Sequence, residues 1–120
     1  MKSRILVVED DPLVAIMLEG YLDALDRQVV GCAEDIAGAL RLIAGQGFEA
    51  AIIDVHLANG ETSERVAVTL KAANIPFIVT TGSGANEEPA YVGAPLLTKP
   101  FTLSSLEAAL AEIDHVGGSA

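Results

Sequence analysis

Ile5-Leu6-Val7-Val8-Glu9-Asp10 decides the fold: an unbroken apolar run that stops on two acids. The run shows no polar alternation, so both of its faces must be covered, as in a buried strand of a parallel sheet. The pattern recurs along the chain. Ala50-Ala51-Ile52-Ile53 stops on Asp54, Phe77-Ile78-Val79-Thr80 on Thr81, and Leu96-Leu97-Thr98 on Lys99. In open α/β sheets ligands bind beyond the carboxyl ends of the strands. Glu9, Asp10, Asp54, Thr81 and Lys99 are therefore expected in one crevice. Carboxylates crowded together repel unless a cation sits among them. A hard, oxygen-seeking ion such as Mg²⁺ suits them, and it usually keeps partners that carry phosphate oxygens.

Helical patterns separate these runs. Pro12 suits a first helical turn, where its missing N–H costs nothing, and the helix is expected over residues 12–25. Leu13, Ile16, Met17 and Tyr21 recur in it at helical spacing. A second strand is expected over residues 28–33. Asp35 caps a helix that Gly45 and Gly47 stop. Residues 49–53 form the third strand, Ala58-Asn59-Gly60 is a turn signal, and a helix follows over residues 62–73. Pro76 opens the fourth strand, a place where proline is allowed. The stretch 82–89, rich in Gly, Ser, Asn and Glu, reads as a loop with at most a turn or two of helix. A short fifth strand spans residues 94–97. Thr102 or Ser104 caps a last helix that runs to about His115, with Leu103, Leu106, Leu110 and Ile113 as its apolar stripe.

Strands alternating with helices imply an α/β fold with a doubly wound, five-stranded parallel sheet covered on both faces. The flavodoxin-like order 2-1-3-4-5 is expected, with a shortened or disordered fourth helix. That order puts the first strand beside the third and so brings Glu9, Asp10 and Asp54 together. Residues 1–116 are expected as one domain and residues 117–120 as a flexible tail.

Composition narrows the function. Hydrophobic residues make up 51% of the 120, aromatics only 4%, and Trp is absent, so the core must be aliphatic. A net charge of −10 argues against a nucleic-acid surface, which needs a basic patch. No apolar run approaches membrane-spanning length. The first one closes at Glu9, too early for a signal peptide. A cytoplasmic protein without membrane or nucleic-acid partners is expected. Cys32 stands alone, which rules out an internal disulfide and suits a reducing compartment. It reads as a small core residue in a strand.

Val8-Glu9-Asp10, Asp54, Thr81 and Lys99-Pro100-Phe101, in this order and at strand ends, resemble the signature of response-regulator receiver domains. The resemblance covers essentially the whole chain. It implies that Glu9 and Asp10 hold Mg²⁺, directly or through water. It implies that Asp54 accepts a phosphoryl group and also ligates the metal, with the backbone carbonyl of His56 as a further ligand. Lys99 would pair with one phosphoryl oxygen and Thr81 would hydrogen-bond to another. The Lys99–Pro100 bond would be cis. The donor would be a phosphohistidine on a histidine kinase or a phosphotransfer protein. Asp11 falls outside the acidic pair and reads as a helix cap.

The chain also departs from that signature. Receivers usually carry Tyr or Phe three residues before the lysine, and here the position is Leu96. The coupling in which an aromatic ring follows the threonine inward cannot operate unchanged. Residues 76–82 are similar to a Pro-Phe-x-Phe-Ala-Thr-Gly stretch of single-domain receivers that lack the switch aromatic and have a poorly formed fourth helix. Val79 and Thr80 stand where Phe and Ala are expected. His56 and Ser83 occupy positions at which receivers tune the lifetime of the phosphoryl group. Their plainer readings are an exposed loop histidine and an ordinary loop serine.

The reading favoured is a stand-alone phosphorylatable switch that signals by protein contact and that is not an enzyme beyond its own phosphorylation and dephosphorylation. A phosphate sink for a shared kinase and a pseudo-receiver binding module are the alternatives. A homodimer is compatible with each. A Mg²⁺-dependent phosphatase is disfavoured, because no second domain covers the crevice to exclude water.

Overall fold

A computed structural model describes residues 3–82 and 88–118, with side chains through Asp114 in the last helix. Its strands are β1 (Ser3–Val8), β2 (Arg27–Ala33), β3 (Ala50–Asp54), β4 (Phe77–Thr81) and β5 (Leu96–Thr98). Among the described residues the α-helices are α1 (Pro12–Ala24), α2 (Ile36–Gly45), α3 (Glu64–Ala72) and α4 (Leu103–Gly118). The strands pair in parallel in the order β2-β1-β3-β4-β5. This is the flavodoxin-like arrangement expected from the sequence.

The apolar runs split by parity between two layers, because successive strand side chains point to opposite faces. Leu6, Val8, Ala51, Ile53 and Val79 pack with Ala39 and Ile43 of α2 and with Val66 and Leu70 of α3. Ile5, Val7, Ile52, Ile78 and Leu97 pack with Leu18 and Leu22 of α1 and with Leu106, Leu110 and Ile113 of α4. Each fully buried Leu or Ile contributes about 1.5–3 kcal/mol. Polar caps set the starts of α1, α2 and α4. Asp11 accepts the Leu13 N–H at 2.9 Å, with Pro12 as the first helical residue. Asp35 accepts the Gly38 N–H at 2.8 Å. At α4 the cap is reciprocal: the Ser105 N–H donates to Thr102 Oγ1 at 3.0 Å and the Thr102 N–H donates to Ser105 Oγ at 2.9 Å. Such an exchange satisfies two amides that the helix itself leaves free.

Two sequence expectations are corrected. Leu13 and Ile16 do not face the core; they are 77% and 68% exposed. The buried side of α1 is Leu18 and Leu22, flanked by Val14, Met17, Tyr21 and Leu25. The start of α1 is apolar all round, so helical spacing alone admits more than one stripe. Cys32 is exposed rather than buried. It lies on β2, an edge strand, where Val30 is an extra residue: Ile5 pairs with Val29 but Leu6 pairs with Gly31. Beyond that bulge the facing of the strand is shifted by one residue. The end of α2 falls where Gly45 and Gly47 were expected to stop it: Gly45 is its last residue, Gln46 caps it at φ 57° and Gly47 follows at φ 95°.

Between β4 and β5 the described residues contain one short 3₁₀ turn, Pro89–Tyr91, in place of an α-helix. Ser83 and most of the stretch 82–89 lie outside the described residues. The last helix runs to Gly118, past the end expected at His115.

Candidate functional site

The parallel register assembles the site. Val8 pairs with Ile53, so Glu9 emerges beside Asp54 where the two strands end. β4 adds Thr81, and the Lys99 N–H donates to the Thr81 carbonyl at 2.8 Å as β5 ends. Glu9 and Asp54 are only 3% and 5% exposed, and Asp10 is half-buried. One carboxylate oxygen from each of Glu9, Asp10 and Asp54 lies within 4.8 Å of the others. Lys99 stands between two of them, with Nζ 2.9 Å from Glu9 Oε1 and 2.8 Å from Asp54 Oδ2. Glu9 Oε2 also accepts the Asp11 N–H at 3.1 Å.

The electrostatics follow from this crowding. Three acids face one ammonium. Burial is the main reason that the Glu9 carboxyl is raised to about 7, and the nearby Asp54 charge adds to it; Lys99 and the Asp11 amide oppose the shift. Burial alone would lower the Lys99 ammonium, but its hydrogen bonds to Asp54 and Glu9 outweigh that and hold it above its ordinary range. The cluster has the donor set of a hard dication: carboxylate oxygens from two adjacent strands, close enough to share one ion that keeps some of its water.

Of the other predicted residues, the structure describes Thr81, His56 and Leu96. Thr81 is fully buried at the end of β4. Thr80 pairs in register with Asp54 and is buried. His56 is exposed on the loop after β3, and its backbone bridges to Thr62. That loop is closed by the Leu57 N–H on the Glu61 carbonyl at 2.8 Å and the Ser63 N–H on the Val55 carbonyl at 2.9 Å. Leu96 pairs with Val79 and is 43% exposed. Lys99–Pro100 is cis, as expected. Sequence reasoning missed Ser63 and Tyr91, whose hydroxyls meet at 2.9 Å in the interior. The available signal was Tyr91 itself, an aromatic in an otherwise polar connection of a chain that has few.

A five-stranded parallel sheet in this order, with an acidic cluster and a lysine at its carboxyl end, defines a class. The chain belongs to the response-regulator receiver family. It is similar to SdrG from Sphingomonas melonis Fr1, with 42% identity over 93% of this chain and 96% of that one, and a TM-score of 0.84. A BeF3-activated conformation of SdrG matches at 43% identity, over 94% and 98% of the two chains, with a TM-score of 0.78. The response regulator PhyR from Brucella abortus matches at 28% identity over 93% of this chain and 47% of its own, with a TM-score of 0.79. Among curated proteins, the phyllosphere-induced regulator PhyR of Methylorubrum extorquens is 29% identical over 93% of this chain and 43% of its own length. The chain thus spans less than half the length of the curated relatives it matches. No protein-family model matches it. Among the described residues no helix is long and apolar enough to cross a membrane.

Proposed function

We propose that this chain is a phosphorylatable switch in which Asp54 receives a phosphoryl group from a phosphohistidine on a histidine kinase or phosphotransfer protein. The observation that carries this reading is the meeting of Glu9, Asp10, Asp54 and Lys99 at three strand ends. Asp54 attacks phosphorus, the P–N bond to the donor imidazole breaks, and its electron pair leaves with the ring. Both reactants are anionic, so the step depends on positioning and charge neutralisation. Lys99 is in place for this, 2.8 Å from the acceptor carboxylate. Glu9, Asp10, Asp54 and the His56 carbonyl would hold Mg²⁺, which when bound supplies further positive charge against the transferring group. Thr81 takes a phosphoryl oxygen, while His56 and Ser83 tune how long the group survives.

The BeF3-activated form of SdrG supports a phosphoryl-driven switch in a close relative. The signal passes by protein contact, in the cytoplasm, from a receiver unit of residues 1–116. Leu96, at the position of the usual switch aromatic, supports a switch that works without that ring.

Intact mass after incubation with a small phosphodonor tests the assignment. Wild type gains one phosphoryl group only when Mg²⁺ is present, and Asp54→Asn gains none. Equal labelling of the two proteins would show that Asp54 is not the acceptor.

A further inference from the structure

Ser63 is fully buried and Tyr91 is 5% exposed, and their hydroxyls lie 2.9 Å apart. This pair stands on a short path from the acidic crevice. Val55 follows Asp54 directly, its N–H donates to the Thr80 carbonyl at 3.0 Å, and its carbonyl accepts the Ser63 N–H at 2.9 Å. Ser63 then reaches Tyr91 through the paired hydroxyls. Tyr91 belongs to the turn that leads into β5: its N–H donates to the Glu88 carbonyl at 3.0 Å, and its carbonyl accepts the Ala94 N–H at 3.1 Å. Two hydrogen bonds therefore join the residue after Asp54 to the β4–β5 connection.

We propose that the Ser63–Tyr91 hydrogen bond is the relay that carries the state of Asp54 to the β4–β5 connection, in place of the aromatic missing at Leu96. The proposal rests on Asp54 being the phosphoryl acceptor. Its physical basis is that breaking the pair leaves two buried hydroxyls without partners. Loop and turn therefore move together. The loop that ends at Ser63 starts at the acceptor and carries the His56 carbonyl, so a new dianionic group there loads the relay at its origin. Ser63 and Tyr91 are positioning residues; neither touches the reacting atoms.

Tyr91→Phe keeps the ring and removes only the hydroxyl, and Ser63→Ala removes the other half. Each is compared with wild type by intact mass and by amide hydrogen exchange over residues 92–98, before and after phosphorylation with Mg²⁺. Wild type should change its exchange in that segment on phosphorylation, by roughly twofold or more. Both variants should take up the phosphoryl group as wild type does yet lose that change. Variants that keep the full wild-type change would overturn the relay. So would a wild-type protein that is phosphorylated by mass but shows no change over residues 92–98. A wild type that gains no mass would overturn the acceptor reading, and the relay with it. If neither variant folds, the wild-type Tyr91 ring resonances serve instead: they should shift on phosphorylation, and unchanged resonances would overturn the proposal.

Discussion

Asp54→Asn should stabilise the protein in the absence of metal. At an effective dielectric of about 20, the Asp54–Lys99 attraction at 2.8 Å is about 6 kcal/mol. Against it stand two repulsions, from Glu9 and Asp10, whose ligand oxygens lie within 4.8 Å of that of Asp54. Each is worth at least about 3.5 kcal/mol on the same scale, or about 7 kcal/mol together. Losing the Asp54 charge thus gains about 1 kcal/mol net, and the Asn carbonyl can still accept from Lys99. For a domain of this size that is about 4 °C in Tm. The assay is thermal unfolding with chelator at about pH 8, where Glu9 is ionised. Mg²⁺ should narrow or reverse the difference, because an ion that binds only the folded form favours the protein with the fuller carboxylate set. A variant melting several degrees below wild type in chelator would refute the reasoning. It would mean that the Lys99 pairing outweighs the crowding of the acids.

Two further outcomes follow from the same geometry. Glu9 is raised from 4.5 to about 7, so the folded protein holds this proton more tightly than the unfolded chain. That stabilisation is complete below about 4.5 and is lost as pH rises through about 7. Denaturant unfolding of wild type relative to Glu9→Gln should show a difference that declines by on the order of 3 kcal/mol across that window; a flat difference would contradict the buried-acid account. Thr102→Ala removes the acceptor of the Ser105 amide and should cost about 1 kcal/mol, read as a lower denaturant midpoint with an unchanged m-value.

Much of the fold was legible because its signals are local and chemically sharp. Pro12, Asp35, Pro76 and Thr102 each act on backbone groups within one turn, and each marks its boundary where expected. The strand-end acids were legible because apolar runs that stop on charge are unusual outside sheet termini. Leu13 and Ile16 were misread because a helix start that is apolar all round carries no phase information. Cys32 was misread because burial on β2 depends on its edge position and on the extra residue Val30, neither of which leaves a local mark. Lys99 was placed in the crevice from the sequence, but its simultaneous contact with Glu9 and Asp54 is a matter of distances between three strands. The Ser63–Tyr91 bond joins residues far apart in the chain, and no spacing rule connects them.

The extra residue at Val30 has a bearing on solubility. An edge strand offers a row of unpaired amides and carbonyls on which another chain can assemble. At β2 the register slip between Ile5 and Leu6 twists and interrupts that row. At the opposite edge, β5 is only three residues long, too short to template much. Both margins of the sheet thus offer a second copy little unbroken strand to pair with: a register slip interrupts one, and the other is three residues long.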